Sequence, residues 1–267
     1  MSTPMIDIPS HPSPPSTTLL GVRVDLLSQA ETLSRIDQIV ALHRNTTDIP
    51  CRQIVTVNTE FIITAQRNPL FRQCINQATL VVPDGMGVVW GTRYKGEPAP
   101  ERVTGTDTLA ALAPLCAEKG YRLYLLGAAP GVAEATARIL QQKHPGLIIA
   151  GTYAGSPAPA EEEDILARIR EAKADILCVA YGAPAQELWI SRNLSRLPVA
   201  VAMGVGGAYD FLSGRTPRAP KLMQRLGLEW LYRLYRQPWR IWRMLAIPRF
   251  MVLIFLKEQK KKKKKKQ

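Results

Sequence analysis

Residues 175–207, DILCVAYGAPAQELWISRNLSRLPVAVAMGVGG, decide the fold class. An apolar run over 175–181 is followed by a helical pattern over 186–193 and by a second apolar run over 199–203 that ends in glycines. Short apolar runs on either side of a helical segment are typical of buried parallel strands joined by a crossover helix. This stretch therefore predicts one strand–helix–strand unit of a parallel sheet.

The same alternation extends from here to the N-terminal part of the chain. Further strands are predicted at 19–27, 51–57, 79–82, 122–126 and 147–152, and helices at 29–43, 60–66, 69–77, 106–119, 132–143 and 161–172. Strands that alternate with helices predict an α/β fold, a mostly parallel Rossmann-like sheet with helices on both faces. Ligands of such sheets bind at the carboxyl ends of the strands, although the pattern does not reveal the strand order.

The composition separates the chain into a near-neutral body and a basic C-terminus. The 267 residues are 46% hydrophobic and 21% charged, as in a globular protein rather than a disordered one. The formal net charge of +13 is the sum of −2 over residues 1–214 and +15 over residues 215–267. This asymmetry predicts an anionic partner for the C-terminal part rather than for the whole molecule.

Composition and pattern together predict four regions. They are a disordered leader at 1–18, an α/β body at 19–214, a membrane-associating helical appendage at 215–257 and a disordered lysine-rich tail at 258–267. The leader lacks the basic start and apolar core of a signal peptide. The longest apolar run, 244–256, is interrupted by Pro248 and Arg249, and it is too short to span a bilayer.

The residue pattern does not predict a metal or redox site. The cysteines, Cys51, Cys74, Cys116 and Cys178, lie far apart in apolar runs, and the three histidines are isolated. We therefore expect buried free thiols rather than disulfides or zinc ligands. The D-x-D pair that commonly holds a divalent cation against a nucleotide-sugar is missing, so no cofactor is predicted.

The C-terminal part predicts a basic amphipathic helix that Pro238 kinks or divides. Charged residues recur at helical spacing, namely Arg225, Glu229, Arg233, Arg236, Arg240 and Arg243. Tryptophan and tyrosine residues lie between them, and this combination suits the headgroup layer of an anionic membrane. Binding to RNA phosphate and a merely solvated basic face are the alternatives.

Several loops after predicted strands carry residues that suit catalysis or phosphate binding. Asp84 is either a general base or a turn residue, and Arg102 is either an anion clamp or a surface arginine. The glycine loops at 127–131 and 203–207 allow close approach of backbone N–H groups to phosphate, but they also suit simple turns. Neither loop has the P-loop pattern or a full dinucleotide-binding fingerprint.

Seven segments, spaced in order over residues 20–256, resemble the WecG/TagA/CpsF family of bacterial glycosyltransferases. They are TVNTEF (56–61), PDGMGVVW (83–90), ERVTGTD (101–107), LLGAAPGVAE (125–134), GAPAQELWI (182–190), GVGGAYDFLSGRTPRAP (204–220) and GLEWLYRLYRQPWRIWR (227–243). The resemblance implies transfer of a sugar from a UDP-sugar donor to a polyprenyl-diphosphate-linked sugar acceptor, with inversion and without a metal. N-acetylmannosamine is the expected sugar, and its uronate form and glucose are the alternatives.

The resemblance also assigns roles to residues. It makes Asp84 the base, it places Thr56 and Asn58 beside sugar hydroxyls or the acceptor, and it lines the same pocket with Arg102 and Gln186. The remaining residues divide into two groups: Gly127, Gly131, Gly206 and Asp210 would hold the UDP part, and Arg233, Arg240 and Arg243 would steady the leaving diphosphate and contact lipid.

The expected partners follow from these roles. Besides donor and acceptor, they include the anionic inner face of the cytoplasmic membrane, to which the protein would bind peripherally. Nucleic acid is not expected as a partner. The resemblance allows a homo-oligomer. Two alternatives come from other classes. One is a non-enzymatic RNA- or polyanion-binding protein, and the other is an NAD(P)-dependent enzyme that uses residues 127–131. The second lacks the acidic ribose ligand, because residues 142–151 contain neither Asp nor Glu.

Overall fold

The computed structural model of the chain describes residues 13–46, 49–220, 222–223, 228–236 and 238–265. The side chains of Arg233, Arg240 and residues 260–265 lie outside that description, as does most of the predicted leader. The strands are β1 (Ser16–Leu19), β2 (Val22–Asp25), β3 (Arg52–Val57), β4 (Leu80–Pro83), β5 (Arg122–Gly127), β6 (Ile148–Tyr153), β7 (Ile176–Ala180) and β8 (Val201–Gly204).

The helices are α1 (Gln29–Asn45), α2 (Thr59–Ala65), α3 (Pro69–Gln77), α4 (Met86–Lys95), α5 (Gly105–Lys119), α6 (Val132–Lys143), α7 (Glu162–Ala172), α8 (Ala185–Asn193), α9 (Ala208–Leu212), α10 (Glu229–Arg236), α11 (Ile241–Met244) and α12 (Ala246–Lys265). Single 3₁₀ turns occur at Pro159–Glu161 and Pro238–Arg240.

Six parallel strands form the central sheet in the order β4-β3-β8-β7-β5-β6, which confirms the predicted α/β fold. Side chains alternate between two buried layers, as a pleated strand requires. Ile54 packs in the layer that α1, α5 and α6 cover, whereas its neighbour Val55 packs in the layer that includes α2 and α3. Burial on both faces explains why the central strands β7 and β8 carry no charged or polar side chain.

The predicted strand at 19–27 is the second half of an antiparallel hairpin, in which a turn at Leu20 and Gly21 joins β1 to β2. β1 begins at Ser16, inside the region 1–18 for which a disordered leader was predicted. Gly21 has a φ of +87°, which glycine adopts without a steric penalty, and this turn divides the apolar run. The buried Asp25 accepts a hydrogen bond from the Val81 N–H at 2.7 Å, so the hairpin is joined to β4.

Two helices, α4 and α9, were missing from the sequence-based prediction. Glycine dilutes the apolar pattern of α4, and one of these glycines is required by packing. A Cβ on Gly91 would lie 2.8 Å from Cζ of Phe250 in α12, so the two helices approach closely only because this side chain is absent. Glycine is needed at position 91 because of a contact with a residue 159 positions later in the chain, and no local sequence pattern reveals such a contact.

The C-terminal segment, defined here as residues 228–265, has one side packed on the body. Within it α10 ends at Arg236 and a 3₁₀ turn begins at Pro238, as predicted from the proline. Ala246, Phe250 and Ile254 of α12 are buried with residues of α2 and α4. The helix continues to Lys265 although disorder was predicted from residue 258, because lysine has a high helix propensity and the preceding turns are packed.

No helix in the described part of the chain is both long enough and apolar enough to cross a bilayer.

The packing of Phe250 generates a first prediction. Phe250 is 0% exposed, so Phe250→Ala should lower the free energy of unfolding by about 3–5 kcal/mol through the lost burial and the cavity left behind. Phe255→Ala, in the same helix but 48% exposed, is the matched control and should change stability by less than about 1 kcal/mol. Urea unfolding of the two variants measures the difference, and equal losses would contradict the packing of α12 on the body.

Candidate functional site

A cleft of about 350 Å³ lies at the carboxyl ends of β4, β3, β8 and β7, with one wall supplied by the C-terminal segment. Eight of the predicted site residues line it: Thr56, Asn58, Asp84, Arg102, Gln186, Gly206, Asp210 and Arg243. The C-terminal segment adds Trp230, Tyr232, Arg236, Met244 and Ile247. The site therefore lies where parallel sheets bind ligands, and most of the predicted residues meet there.

Two main-chain hydrogen bonds bring the candidate base and the candidate anion clamp to one wall. The Asp84 N–H donates to the Val57 carbonyl at 2.7 Å, and the Val103 N–H donates to the Pro83 carbonyl at 2.7 Å. The ends of β3 and β4 and the residues just before α5 are thereby held side by side. As a result, Asp84 and Arg102 line the same cleft although they belong to different loops.

Thr56 and Asn58 occupy the end of β3, and each has a packing or capping role in addition to lining the cleft. Thr56 is buried, and a Cβ on Gly105 would lie 3.5 Å from its Oγ1, so α5 starts directly against it. Asn58 is the N-cap of α2, and its side-chain oxygen accepts a hydrogen bond from the Phe61 N–H at 3.0 Å. The carbonyl end of the Asn58 side chain is therefore held in place.

Gln186 was predicted as a pocket residue, and it also joins two loops. Its Oε1 accepts hydrogen bonds from the N–H groups of Gly182, at 3.0 Å, and Gly206, at 3.1 Å. Its Nε2 donates to Oε1 of Glu187 at 2.6 Å. Glu187 is almost fully buried, and burial raises the pKa of its carboxyl to about 7.

Ion pairs attach the start of the C-terminal segment to the wall that carries Arg102. Glu229, the first residue of α10, accepts a hydrogen bond from Nη1 of Arg102 at 3.2 Å and lies 3.7 Å from Nε of Arg218. Arg218 also pairs with Asp107 at 2.6 and 3.0 Å. Burial raises the pKa of Asp107, but hydrogen bonds from Arg218 and Thr104 outweigh burial and keep it below its ordinary value.

A second ion pair closes the other end of the same wall. Arg243 of α11 forms a bidentate pair with Glu60 of α2, with its Nε 2.8 and 3.0 Å from the two carboxylate oxygens and its Nη2 2.8 Å from one of them. Thus Glu60 of the body pairs with Arg243 of the C-terminal segment. In the opposite sense, Glu229 of the segment pairs with Arg102 of the body. The predicted partners of Arg243, a leaving diphosphate and lipid, stay predictions.

The similarity of the whole sequence identifies the family. The model of the glycosyl transferase WecG/TagA/CpsF family matches residues 17–265. The chain belongs to this family. It is 34% identical over 206 residues to the N-acetylglucosaminyldiphosphoundecaprenol N-acetyl-beta-D-mannosaminyltransferase of Bacillus spizizenii, and the match covers 77% of this chain and 79% of that protein. The chain is a glycosyltransferase, so the NAD(P)-dependent and non-enzymatic alternatives no longer apply.

The structure separates the two predicted glycine loops of this glycosyltransferase. Gly206 lines the cleft, whereas Gly127 and Gly131 do not, because β5 lies beyond β7 in the strand order. Gly127 has a packing role instead, since a Cβ on it would lie 2.8 Å from the main-chain carbon of Ala180 in β7. The assignment of Gly127 and Gly131 to UDP stays a prediction, and Arg233 and Arg240 have side chains outside the described part.

The cysteines agree with the sequence-based expectation of buried free thiols. All four cysteines are free and buried, and burial raises their thiol pKa values, to about 11 for Cys74 and about 12 for Cys116. Within the described ranges no three His, Cys, Asp or Glu side chains come together as metal ligands.

Sequence reasoning missed four charged residues that line the cleft, namely Glu60, Arg218, Glu229 and Arg236, as members of this site. Glu229 had a visible signal, because it is the one acid in a basic helical face. Glu60 had none, since its partner Arg243 follows 183 residues later.

The pair between Glu60 and Arg243 generates a second prediction. In a double-mutant cycle, Glu60→Gln and Arg243→Gln should each weaken the attachment of the C-terminal segment, and the double variant should be no weaker than either. For a half-exposed pair we expect a coupling energy of about 0.5–1 kcal/mol. Chemical unfolding at low salt measures it, and strictly additive losses would refute the pairing. The exposed pair between Arg168 and Asp164 of α7 is the control for general salt effects.

Proposed function

We propose that the cleft transfers N-acetylmannosamine from its UDP derivative to a polyprenyl-diphosphate-linked sugar, by an inverting mechanism that needs no metal. The observation that carries the proposal is the combination of a carboxylate, Asp84, with several guanidinium groups in one cleft at the carboxyl ends of the strands. The name of the Bacillus spizizenii relative describes a mannosaminyl transfer that uses a diphosphoundecaprenol-linked acceptor, and it supports this choice of sugar and acceptor.

The proposed reaction is a single displacement. The acceptor hydroxyl gives its proton to the Asp84 carboxylate while its oxygen forms the new bond to the anomeric carbon. The bond between that carbon and the UDP oxygen breaks on the opposite face, and UDP leaves with the electron pair. Attack opposite the leaving group inverts the anomeric centre, and a positioned carboxylate that accepts the proton contributes about 10²- to 10⁴-fold.

Arginines would stabilise the charge that develops on departing UDP. Arg102, Arg236 and Arg243 line the cleft from both the body and the C-terminal segment. Positive groups that are already positioned where charge develops stabilise the transition state more than the bound substrate. In the proposal these arginines supply the positive charge that a divalent cation supplies in metal-dependent nucleotide-sugar sites. Thr56 and Asn58 would orient the sugar or the acceptor, and Gly206 and Asp210 would hold the UDP part.

The outer side of the C-terminal segment supports a further part of the proposal, peripheral binding to the inner face of the cytoplasmic membrane. Tyr235, Trp239 and Trp242 are 82%, 71% and 78% exposed. Val252 and Phe255 expose apolar surface on the following helix. Exposed aromatic side chains next to basic ones suit the headgroup layer, which would bring the cleft to a lipid-linked acceptor.

The base assignment gives a third prediction. Asp84→Asn should lower turnover with UDP-N-acetylmannosamine and lipid-diphosphate-linked N-acetylglucosamine by about 10²- to 10⁴-fold, because the amide cannot accept the proton. The affinity for UDP should stay unchanged, whereas Asp210→Asn, the matched control, should weaken UDP binding more than it lowers turnover. Product formation with EDTA present measures turnover, and equilibrium titration with UDP measures the affinity.

A panel of UDP-sugars in the same assay tests the donor. Product from the N-acetylmannosaminuronate or glucose derivative alone would replace the proposed sugar, and wild-type turnover by Asp84→Asn would overturn the base. Loss of activity in EDTA that added Mg²⁺ restores would overturn metal independence.

Membrane binding gives a fourth prediction. Replacing both Trp239 and Trp242 by Ala should reduce flotation with anionic phosphatidylglycerol vesicles, because two exposed indole groups are lost while the packed side of α12 is untouched. Leu70→Ala, which removes an exposed apolar side chain from α3 on the body, is the control and should float like the wild type. Equal flotation of all three proteins would show that these tryptophans do not bind the membrane.

A further inference from the structure

One side-chain oxygen sets the distance between two loops of the cleft. The loop after β7 and the loop after β8 both donate a main-chain N–H to Oε1 of Gln186. Gly182 and Gly206, the two donors, also line the cleft. The spacing of this part of the site therefore depends on the Gln186 amide having its oxygen, and not its nitrogen, toward the loops.

An amide side chain has two ends of nearly the same shape, so its orientation must be determined by its partners. If the Gln186 amide turned over, an NH₂ group would face two N–H donors and both hydrogen bonds would be lost. Glu187 opposes this turn together with the two loop donors, because its Oε1 accepts a hydrogen bond from Nε2 of Gln186 at 2.6 Å. An ionised carboxylate oxygen can only accept there, so in that state Glu187 favours one of the two orientations.

The surroundings of Glu187 argue that it is not present for stability. Its side chain is 1% exposed, and Oε2 has no hydrogen-bond partner among the described residues. Gly204 of β8 lies against its Oε1. The amide of Gln53 of β3 and the thiol of Cys74 of α3, both neutral, donate hydrogen bonds to the main-chain carbonyl of the same residue. A buried carboxyl without a cation costs stability, and an apolar side chain of similar size would restore it.

The sheet makes room for this pair at Gly204. A Cβ there would lie 2.4 Å from Nε2 of Gln186 and 2.5 Å from Oε1 of Glu187, so any larger residue would displace the contact. Gly204 of β8 thus leaves the space, and Glu187 of α8 supplies the acceptor, for the hydrogen bond from Nε2 of Gln186.

We infer that Glu187 is a positioning residue, which fixes the Gln186 amide so that it holds the loops at Gly182 and Gly206 in the arrangement the site requires. That these loops contact the UDP-sugar rests on the proposed function, whereas the orientation of Gln186 by Glu187 does not.

The test compares Glu187→Met, which removes the acceptor, with Glu187→Gln, whose amide oxygen can still accept from Nε2 of Gln186. In Glu187→Met, exchange of the Gly182 and Gly206 amide hydrogens, followed by NMR, should become about tenfold faster, the effect of losing one hydrogen bond each. Exchange at Val179 in the core of the sheet should not change. Glu187→Gln should keep the wild-type exchange at both glycines.

Stability and activity separate a positioning role from a structural one. Glu187→Met should unfold at the same temperature as the wild type or higher. Its turnover should fall about tenfold or more, because the hydrogen bond to Nε2 of Gln186 is lost. Glu187→Gln should restore turnover to within about threefold, since the hydrogen bond is kept. Should Glu187→Met fail to fold, Glu187→Asp replaces it, because the shorter side chain withdraws its oxygens from Gln186 and should give the same faster exchange.

Unchanged exchange at both glycines in Glu187→Met, or in Glu187→Asp if that variant is the one that folds, would overturn the inference. A fall in unfolding temperature that parallels the loss of turnover would overturn it as well. If the wild type transfers none of the UDP-sugars tested, the exchange result stands by itself, so failure of the proposed function is distinguishable from failure of this inference.

Discussion

The pairing of β3 with β8 is the constraint on which the rest of this glycosyltransferase depends. The two strands lie about 150 residues apart in the chain, yet Ile54 is directly opposite Met203 in a parallel register. This pairing brings the loop with Asn58 beside the loop with Gly206, while β4 and β7 add Asp84 and Gly182 on either side. With another strand order the same loops would be present, but they would not lie next to one another around one cleft.

The C-terminal segment adds a wall to the cleft at this edge of the sheet. Phe250 and Ile254 are buried with the body, and ion pairs with Glu60 and Arg102 hold the segment at two points of the cleft wall. The opposite side carries Trp239 and Trp242 into solvent. The charge of the C-terminal residues by itself suggested affinity for any polyanion, but part of it lies in the cleft, because Arg236 and Arg243 line it.

Local pattern predicted the elements well and the contacts between distant elements poorly. The bounds of α3 and α6 coincide with the structure because a proline and a glycine mark their starts and apolar periodicity marks their length. The resemblance assigned Gly127 and Gly206 together to the UDP part, but the strand order, a property of long-range pairing, separates them. The pairing of Glu60 with Arg243 was equally invisible. Asp84 and Arg102 were singled out by their places in loops and given roles by the resemblance, and the structure adds that both line one cleft.

Hydrogen exchange of the full chain with and without UDP tests most directly whether the strand ends and the C-terminal segment form one site. If they form one site, UDP should slow exchange in the loops around Gly182 and Gly206 and, in the same experiment, in residues 229–236 of α10. Slower exchange confined to other parts of the chain, with both loops and α10 unchanged, would contradict it.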